Sequence, residues 1–173
     1  TVSASVYHYQ IDDLIDQATV EMDEGSMLQF RNLGGARATG GEIAVRAPLP
    51  RSADAQASYA FSDARASGGS RLTNSPRHLG RIAASAPLLF DARGSAELVL
   101  VGPRLTLQRK KLSTTTLLNL AVTSGTGIPN LDFSAGLYNV LNQKYSDPGG
   151  SEHVQDRIPQ DRFTYRVQLS YRF

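Results

Sequence analysis

The sequence predicts an all-β fold, an antiparallel transmembrane β-barrel of about eight strands. Three features of the 173 residues lead there. Apolar side chains recur at every second position along most of the chain, the period of a half-buried strand and not the 3.6 of a helix. The alternating runs reach about ten to thirteen residues, against the usual five or six of soluble sheets. The links between them are mostly long and polar on one side, short and turn-rich on the other, as in an outer-membrane barrel.

In chain order the strands are expected at about 2–11, 27–47, 53–62, 77–89, 95–107, 112–123, 131–142 and 163–173. The first changes parity, because Val2, Ala4 and Val6 give way to Tyr7, Tyr9 and Ile11. The second is long and also shifts, from Leu28 and Phe30 to Ile43, Val45 and Ala47, with glycines at 34, 35, 40 and 41 placed for a bulge or bend. The third sets Ala55, Ala57, Tyr59 and Phe61 against Asp54, Gln56 and Ser58. The fourth sets Ile82, Ala84, Ala86 and Leu88 against Arg81 and Ser85, and the fifth sets Ala96, Leu98 and Leu100 against Glu97. Leu112, Leu118, Leu120 and Val122 line the sixth, and Leu131, Phe133, Ala135 and Leu137 the seventh. The last run, "FTYRVQLSYRF", alternates Phe163, Tyr165, Val167, Leu169, Tyr171 and Phe173 with Thr164, Arg166, Gln168, Ser170 and Arg172.

The long connections are expected at 12–26, 63–76 and 143–162 and the short turns at 48–52, 90–94 and 124–130, with the short link 108–111 out of pattern. An apolar face toward lipid implies a polar face toward the lumen. Arg46, Arg81, Glu97, Arg166 and Arg172 are expected there, with Arg31 and Glu42 at equivalent strand positions. A soluble β-sandwich also alternates, but shorter strands and fewer charges within them would be expected. Tyr7, Tyr9, Tyr59, Tyr138, Tyr145, Tyr165 and Tyr171 fall mostly near strand ends, where aromatic girdles sit at lipid–water interfaces.

Composition narrows the classes further. No apolar run approaches the length of a transmembrane helix. Cysteine is absent, which excludes disulfides and thiolate metal sites. The net charge of +2 is scattered, with "RKK" at 109–111 its only run, so nucleic acid is not an expected partner. His8, His78 and His153 lack metal-ligand spacing, and no metal or cofactor is expected. "IDDLID" with Glu21, Asp23 and Glu24 is acidic without calcium-loop spacing. "SGGS" at 67–70 lacks the lysine of a phosphate loop, and no Gly-x-Ser-x-Gly elbow occurs. The expectation is a protein that is not an enzyme. Thr1 is no initiator methionine and no signal segment precedes it, so a chain processed or cut from something longer is expected.

At "RNLGGARATGGEIAV" (31–45) and "GLYNVLNQKY" (136–145) the sequence resembles the barrel of a TonB-dependent outer-membrane receptor. The family pattern Asn-x-Gly-x-Ala-x-x-x-Gly-x-Glu is matched by Asn32, Gly34, Ala36, Gly40 and Glu42. Its Asn-Leu-Phe-Asp-x-x-Tyr motif keeps Asn139 and Tyr145, with Leu141 in place of the aromatic and Asn142 in place of the acid. "VYHYQIDDLI" (6–15) is similar to a family strand ending in an Asp-Leu-Ile-like turn. Arg162 before an aromatic-alternating strand resembles the family's ending, in which Tyr165, Leu169, Tyr171 and Phe173 would be read by the barrel assembly machinery; Gln168 stands where a glycine often occurs.

The resemblance implies a wall segment of a Gram-negative outer-membrane receptor, in contact with outer-membrane lipid, serving uptake of a ferric siderophore, cobalamin or similar nutrient. Such receptors are expected to have about twenty-two strands around a plug domain. Residues 1–173 read as a single barrel segment, with neither a plug nor a TonB-engaging segment within them. The alternative is a small closed barrel of eight strands with a structural, adhesive or minor pore role, since an open sheet in lipid would leave two unpaired edges.

Overall fold

A computed structural model describes residues 1–22, 25–32, 34–125 and 128–173. Among these residues fourteen strands occur in chain order: β1 (Val2–Ile11), β2 (Ile15–Met22), β3 (Gly25–Asn32), β4 (Ala36–Leu49), β5 (Ala53–Ala66), β6 (His78–Pro87), β7 (Ala92–Val101), β8 (Arg104–Leu105), β9 (Lys111–Leu112), β10 (Thr115–Gly125), β11 (Leu131–Tyr138), β12 (Ser146–Pro148), β13 (Arg157–Pro159) and β14 (Thr164–Tyr171). Among the described residues there is no helix. Eight long strands form one antiparallel meander, β1-β4-β5-β6-β7-β10-β11-β14, and the other six pair as three small hairpins, β2-β3, β8-β9 and β12-β13.

This sheet buries almost nothing on itself. Ala36 and Leu112 are the only buried hydrophobic residues among those described, and the surface is 12303 Å². A compact globule of this size would expose about 8,300 Å². A sandwich core is thereby excluded, and both faces of the sheet need an environment outside the chain.

Directly opposed residues of an antiparallel pair share a face. On one face Ile43 lies opposite Ala4 and Tyr59, Ile82 opposite Ala57 and Leu98, and Leu118 opposite Leu98. Leu120 meets Leu137, and Leu137 meets Tyr165, so the apolar face runs unbroken from β1 to β14. The parity change in β1 follows from the same register. Val2, Ala4 and Val6 share the apolar face with Val45, Ile43 and Gly41, whereas Tyr7, Tyr9 and Ile11 lie opposite Gly40, Ala38 and Ala36 on the polar one.

Three expectations are corrected. The run 27–47 is two strands: Gly34, at φ +100, breaks it, and β3 leaves the sheet to pair with β2, which occupies the expected loop 12–26. Arg31 is therefore a hairpin residue, donating from Nε to Gln29 Oε1 at 3.0 Å. The fifth run stops at Val101, because Gly102 and Pro103 interrupt the ladder, and the tenth strand begins only at Thr115. The link 108–111 is thus a connection of residues 102–114, so every connection on that rim is long: 12–35, 67–77, 102–114 and 139–163.

The sequence leaves closure open between a small ring and part of a larger barrel. β1 pairs only with β4 and β14 only with β11 among the described residues, so the eight strands form an open arc. An eight-strand ring has an interior just wide enough for ordinary side chains, and the polar face here carries long arginines and tyrosines that suit a wider curve. The opposite rim has tight turns. Arg51 and Ser52 (φ 59 and 57) and Phe90 and Asp91 (φ 58 and 52) occupy the centres of turns closed by Ala53 N to Pro50 O and Ala92 N to Leu89 O. Two consecutive left-handed residues match the right-handed strand twist of a hairpin.

Candidate functional site: the polar face and the loop rim

Cross-strand register places Arg46, Arg81, Glu97 and Arg166 on the polar face, with Glu42 beside them, and Arg172, just past the end of β14, reaches Asp132 on the same face. Arg81, Glu97 and Arg172 are charge-paired across strands, whereas Arg46 and Glu42 meet neutral side chains. Arg81 Nε meets Glu97 Oε1 at 2.5 Å, and Asn119 Nδ2 donates to Glu97 Oε2 at 3.2 Å. Arg172 reaches Asp132 Oδ2 at 2.7 Å, Arg46 donates to Gln56 Oε1 at 3.4 Å, and Ser5 Oγ donates to Glu42 Oε1 at 3.2 Å. Arg93, which sequence reasoning passed over, holds Asp54 at 2.5 Å toward the turn rim. Such pairing lowers the cost of setting charges on a wall that is partly screened from water.

The first motif is explained locally. Gly34 adopts a conformation open to glycine, and Gly35 N then donates to Ser67 Oγ at 3.0 Å, tying the base of the β2-β3 hairpin to the next loop. Asn32 closes β3, and Ala36 opens β4 at 8 % exposure. A Cβ on Gly40 would stand 2.5 Å from the Tyr7 hydroxyl, so the absent side chain makes room for the tyrosine ring. Tyr7 in turn stacks on Tyr9 at 5.0 Å, just below the loop rim on the polar face.

The second motif is a clamp. Asn139 sits at φ 48 with 4 % exposure, where β11 turns into the connection 139–163. Its Oδ1 accepts Gln143 N at 2.9 Å, while its Nδ2 donates to Gln143 O at 2.9 Å and Asp161 O at 3.3 Å. Its own N–H donates to Asn119 Oδ1 at 3.0 Å. Gln143 extends the network by accepting Thr116 N at 2.6 Å and donating to Thr114 O at 3.0 Å. Asn142, standing where the family has an acid, accepts Phe163 N at 3.3 Å through Oδ1, and Arg162 donates to Asn142 O at 3.4 Å. Asn139, Arg162 and Tyr145 are thereby gathered on one connection that returns close to its own start. Gln143 and Asn119 were missed by sequence reasoning. The three clustered amides Asn139, Asn142 and Gln143 at a strand end are the signal that could have found Gln143, whereas Asn119 meets them only through the fold.

Above this clamp the connections are stitched together. Arg104, only 11 % exposed, binds Asp147 Oδ1 at 2.6 Å. Gln108 N donates to Asp156 Oδ1 at 3.1 Å, Asn74 N to Leu105 O at 2.9 Å and Arg109 Nη1 to Arg71 O at 2.6 Å. Thr106 is wholly buried in the resulting block. Tyr145 lies in it too. Burial first, and the Asp147 and Asp161 carboxylates second, push its phenol above the ordinary tyrosine range, with Arg104 opposing.

The tyrosines divide by register and only partly serve as a girdle. Tyr59, Tyr165 and Tyr171 belong to the apolar face, and Tyr145 to a connection. Tyr7, Tyr9 and Tyr138 are on the polar face, because Tyr7 fills the space over Gly40 and Tyr138 that over Gly136. Tyr165, Leu169, Tyr171 and Phe173 are strongly exposed, and β14 itself ends at Tyr171, leaving Phe173 beyond the ladder.

The three histidines are apart. His8 Nδ1 lies 2.7 Å from Thr39 Oγ1, His78 Nδ1 lies 2.6 Å from the Tyr59 hydroxyl, and His153 pairs with Glu152 at 3.0 Å. Among the described residues no three of His, Asp and Glu gather as metal ligands. Of the acidic cluster, Asp23 and Glu24 lie outside the described residues, and Asp12 accepts from Gln10 Nε2 at 3.2 Å. What the arrangement offers is a polar wall topped by an ordered rim of hydrogen-bonding loops, a surface for binding.

Comparisons with known proteins agree with that geometry. Residues 1–140 match the family described as TonB dependent receptor-like, beta-barrel. No curated protein matches in sequence. Among solved structures, the copper transporter OprC superimposes with a TM-score of 0.77 at 20% identity, over 99% of this chain and 28% of its own. The ferric-catecholate import receptor Fiu from K12 E. coli gives 0.72 at 16% identity, over 99% of this chain and 25% of its own. The ferric citrate transporter FecA gives 0.69 at 18% identity, over 80% of this chain and 24% of its own. The chain therefore spans about a quarter of the length of the structures it resembles. With a match over most of its length and an open meander that superimposes on part of their barrels, the chain belongs to the TonB dependent receptor-like beta-barrel family.

Proposed function

We propose that these residues form part of the wall and loop rim of an outer-membrane receptor that imports a scarce metal as its chelate, of the ferric-siderophore class. The observation that carries this is the open arc whose rims differ, one built of long interlocked connections and the other of tight turns. The apolar face then meets lipid, the polar face looks into the lumen, and the long connections face outward as ligand vestibule. The unpaired edges of β1 and β14 support a wall completed by further strands, because each open backbone group in lipid costs several kcal/mol. The stacked Tyr7 and Tyr9, with the Arg104–Asp147 and Asn139 networks above, lie where a ligand entering from the rim would first touch the wall.

In this reading Tyr165, Leu169, Tyr171 and Phe173 are the residues that the assembly machinery engages, and Arg46, Arg81, Glu97, Arg166 and Arg172 line the lumen. The test is growth and radiolabelled uptake in a strain lacking the full-length gene product. Deletion should abolish energised uptake of at least one metal chelate under metal limitation, with restoration by the wild-type gene. Unchanged uptake across ferric catecholates, ferric hydroxycarboxylates and copper would refute the import reading.

A further inference from the structure

Resting on the membrane reading above, the geometry points to a binding site for phosphate groups of outer-leaflet lipid headgroups on the outside of the wall, at Arg37, Arg65, Arg71 and Arg77. The register makes the case. Gln10 lies opposite Arg37, Arg37 opposite Arg65, and Arg65 opposite Arg71, so three arginines stand side by side across adjacent backbones. Like charges set directly opposite in a sheet destabilise it, and the row calls for an anion. Arg37 and Arg65 share parity with Ile43 and Tyr59, which places the row on the apolar face and not on the lumenal one.

One carboxylate answers part of this charge. Asp63 takes Arg65 Nε on Oδ2 at 2.8 Å, and Arg77 on Oδ1 through Nε at 3.0 Å and Nη2 at 2.8 Å. Both Asp63 oxygens are then engaged, and Asp12 on the neighbouring edge is held by Gln10. Arg71 has only a carbonyl, Ser75 O at 3.4 Å, and Arg37 is exposed without a hydrogen-bond or ion-pair partner among the described residues. Arg109, bound to Arg71 O, adds a further cation above them.

Height selects the ligand. Phe61 and His78 lie opposite each other, and Tyr59 contributes its hydroxyl to His78, which gives the apolar face an aromatic and polar upper margin. From Phe61 to Arg65 is four residues, about 13 Å along the strand and about 10 Å vertically at barrel tilt. Guanidiniums on long flexible stems reach down from there into the headgroup layer. Planar bidentate donors suit phosphate oxygens.

The full-length gene product, wild type and the Arg37→Gln/Arg71→Gln pair, would be reconstituted in phosphatidylcholine vesicles doped with bisphosphorylated lipid A, and the lipid retained after detergent extraction measured. Neither substitution touches the Asp63 pairs. Loss of both charges should lower retention on the order of tenfold, while Arg166→Gln on the lumenal face leaves it unchanged. Equal retention by the double variant, equal loss in Arg166→Gln, or full displacement by inorganic phosphate would each overturn the site. Outer-membrane fractionation and heat-modifiable migration separate the two readings: a wild type absent from that membrane overturns the barrel reading and this site together, whereas correct insertion with unaltered retention overturns the site alone.

Discussion

The Tyr7 ring occupies the space that a side chain on Gly40 would need, with the Tyr7 hydroxyl 2.5 Å from where a Cβ would stand. The Phe61 carbonyl oxygen blocks the same position from the other strand. Gly40→Ala should therefore destabilise the barrel by about 1–3 kcal/mol, the usual cost of overpacking. A second substitution, Tyr7→Ala, should recover only part of that, because the Phe61 carbonyl does not move. The midpoint of heat-modifiable migration for the full-length gene product reads both.

Asn139→Ala removes three side-chain hydrogen bonds and puts alanine at φ 48. The expected loss is about 2–3 kcal/mol, felt first as protease cleavage within 139–163. Asn139→Gly restores the backbone freedom without the bonds. It should stay close to the alanine variant, which assigns the clamp to the amide.

Arg81 and Glu97 are 48% and 30% exposed in this sheet, so their pair is worth little by itself. A double-mutant cycle should give a coupling of about 0.5–1 kcal/mol that falls as salt is added. Glu97→Ala should cost more than Arg81→Ala, since Asn119 also loses its acceptor. A coupling of zero would mean that the polar-face pairs are incidental.

Tyr145 has a phenol pushed upward by burial and by Asp147 and Asp161. The folded state thus holds this proton more tightly than the unfolded one. Its contribution to stability is complete below the ordinary tyrosine pKa of about 10 and is lost as pH rises above that through the folded value. Ultraviolet titration should show one tyrosine ionising late, and Tyr145→Phe should remove that phase.

Phe173→Ser and Tyr171→Ser should each reduce the amount of protein recovered in the outer membrane, as substitutions in an assembly signal would. Arg172→Gln, next to both but turned to Asp132, should not. Equal yields from all three in fractionated envelopes would remove the signal from these residues.

The apolar face was legible wherever one side of a strand is apolar throughout and so forces period 2, as in Ile82 opposite Leu98 or Leu137 opposite Tyr165. Outside that zone the pattern has no cause and vanishes. The strand Ile15–Met22 reads as a loop in the sequence because a hairpin on the rim has no continuous apolar face to mark it. Strand ends were overrun for a similar reason: Leu105 and Leu107 alternate with Arg104 and Thr106 as strand residues would, yet Gly102 and Pro103 have already ended the ladder of β7. Polar-face tyrosines escaped notice because only the register shows that Tyr7 meets a glycine. The Asn139 motif was visible as residues, but its bonds to Asn119, Gln143 and Asp161 depend on three segments that meet only in the fold.

The cross-bonded connections also determine how freedom of motion is shared along the rim. Segments 67–77, 102–114 and 139–163 are linked through Asn74–Leu105, Arg109–Arg71, Gln108–Asp156 and Arg104–Asp147. Any displacement of one must carry the others or break several of these at once. The β2-β3 hairpin is different, since among the described residues its strands pair only with each other and it is anchored at its base by Leu14 N to Gly34 O and by Gly35 with Ser67. Amide exchange would therefore separate the rim into two cooperative units. A visitor to the rim meets one block that answers as a whole and one arm that answers by itself.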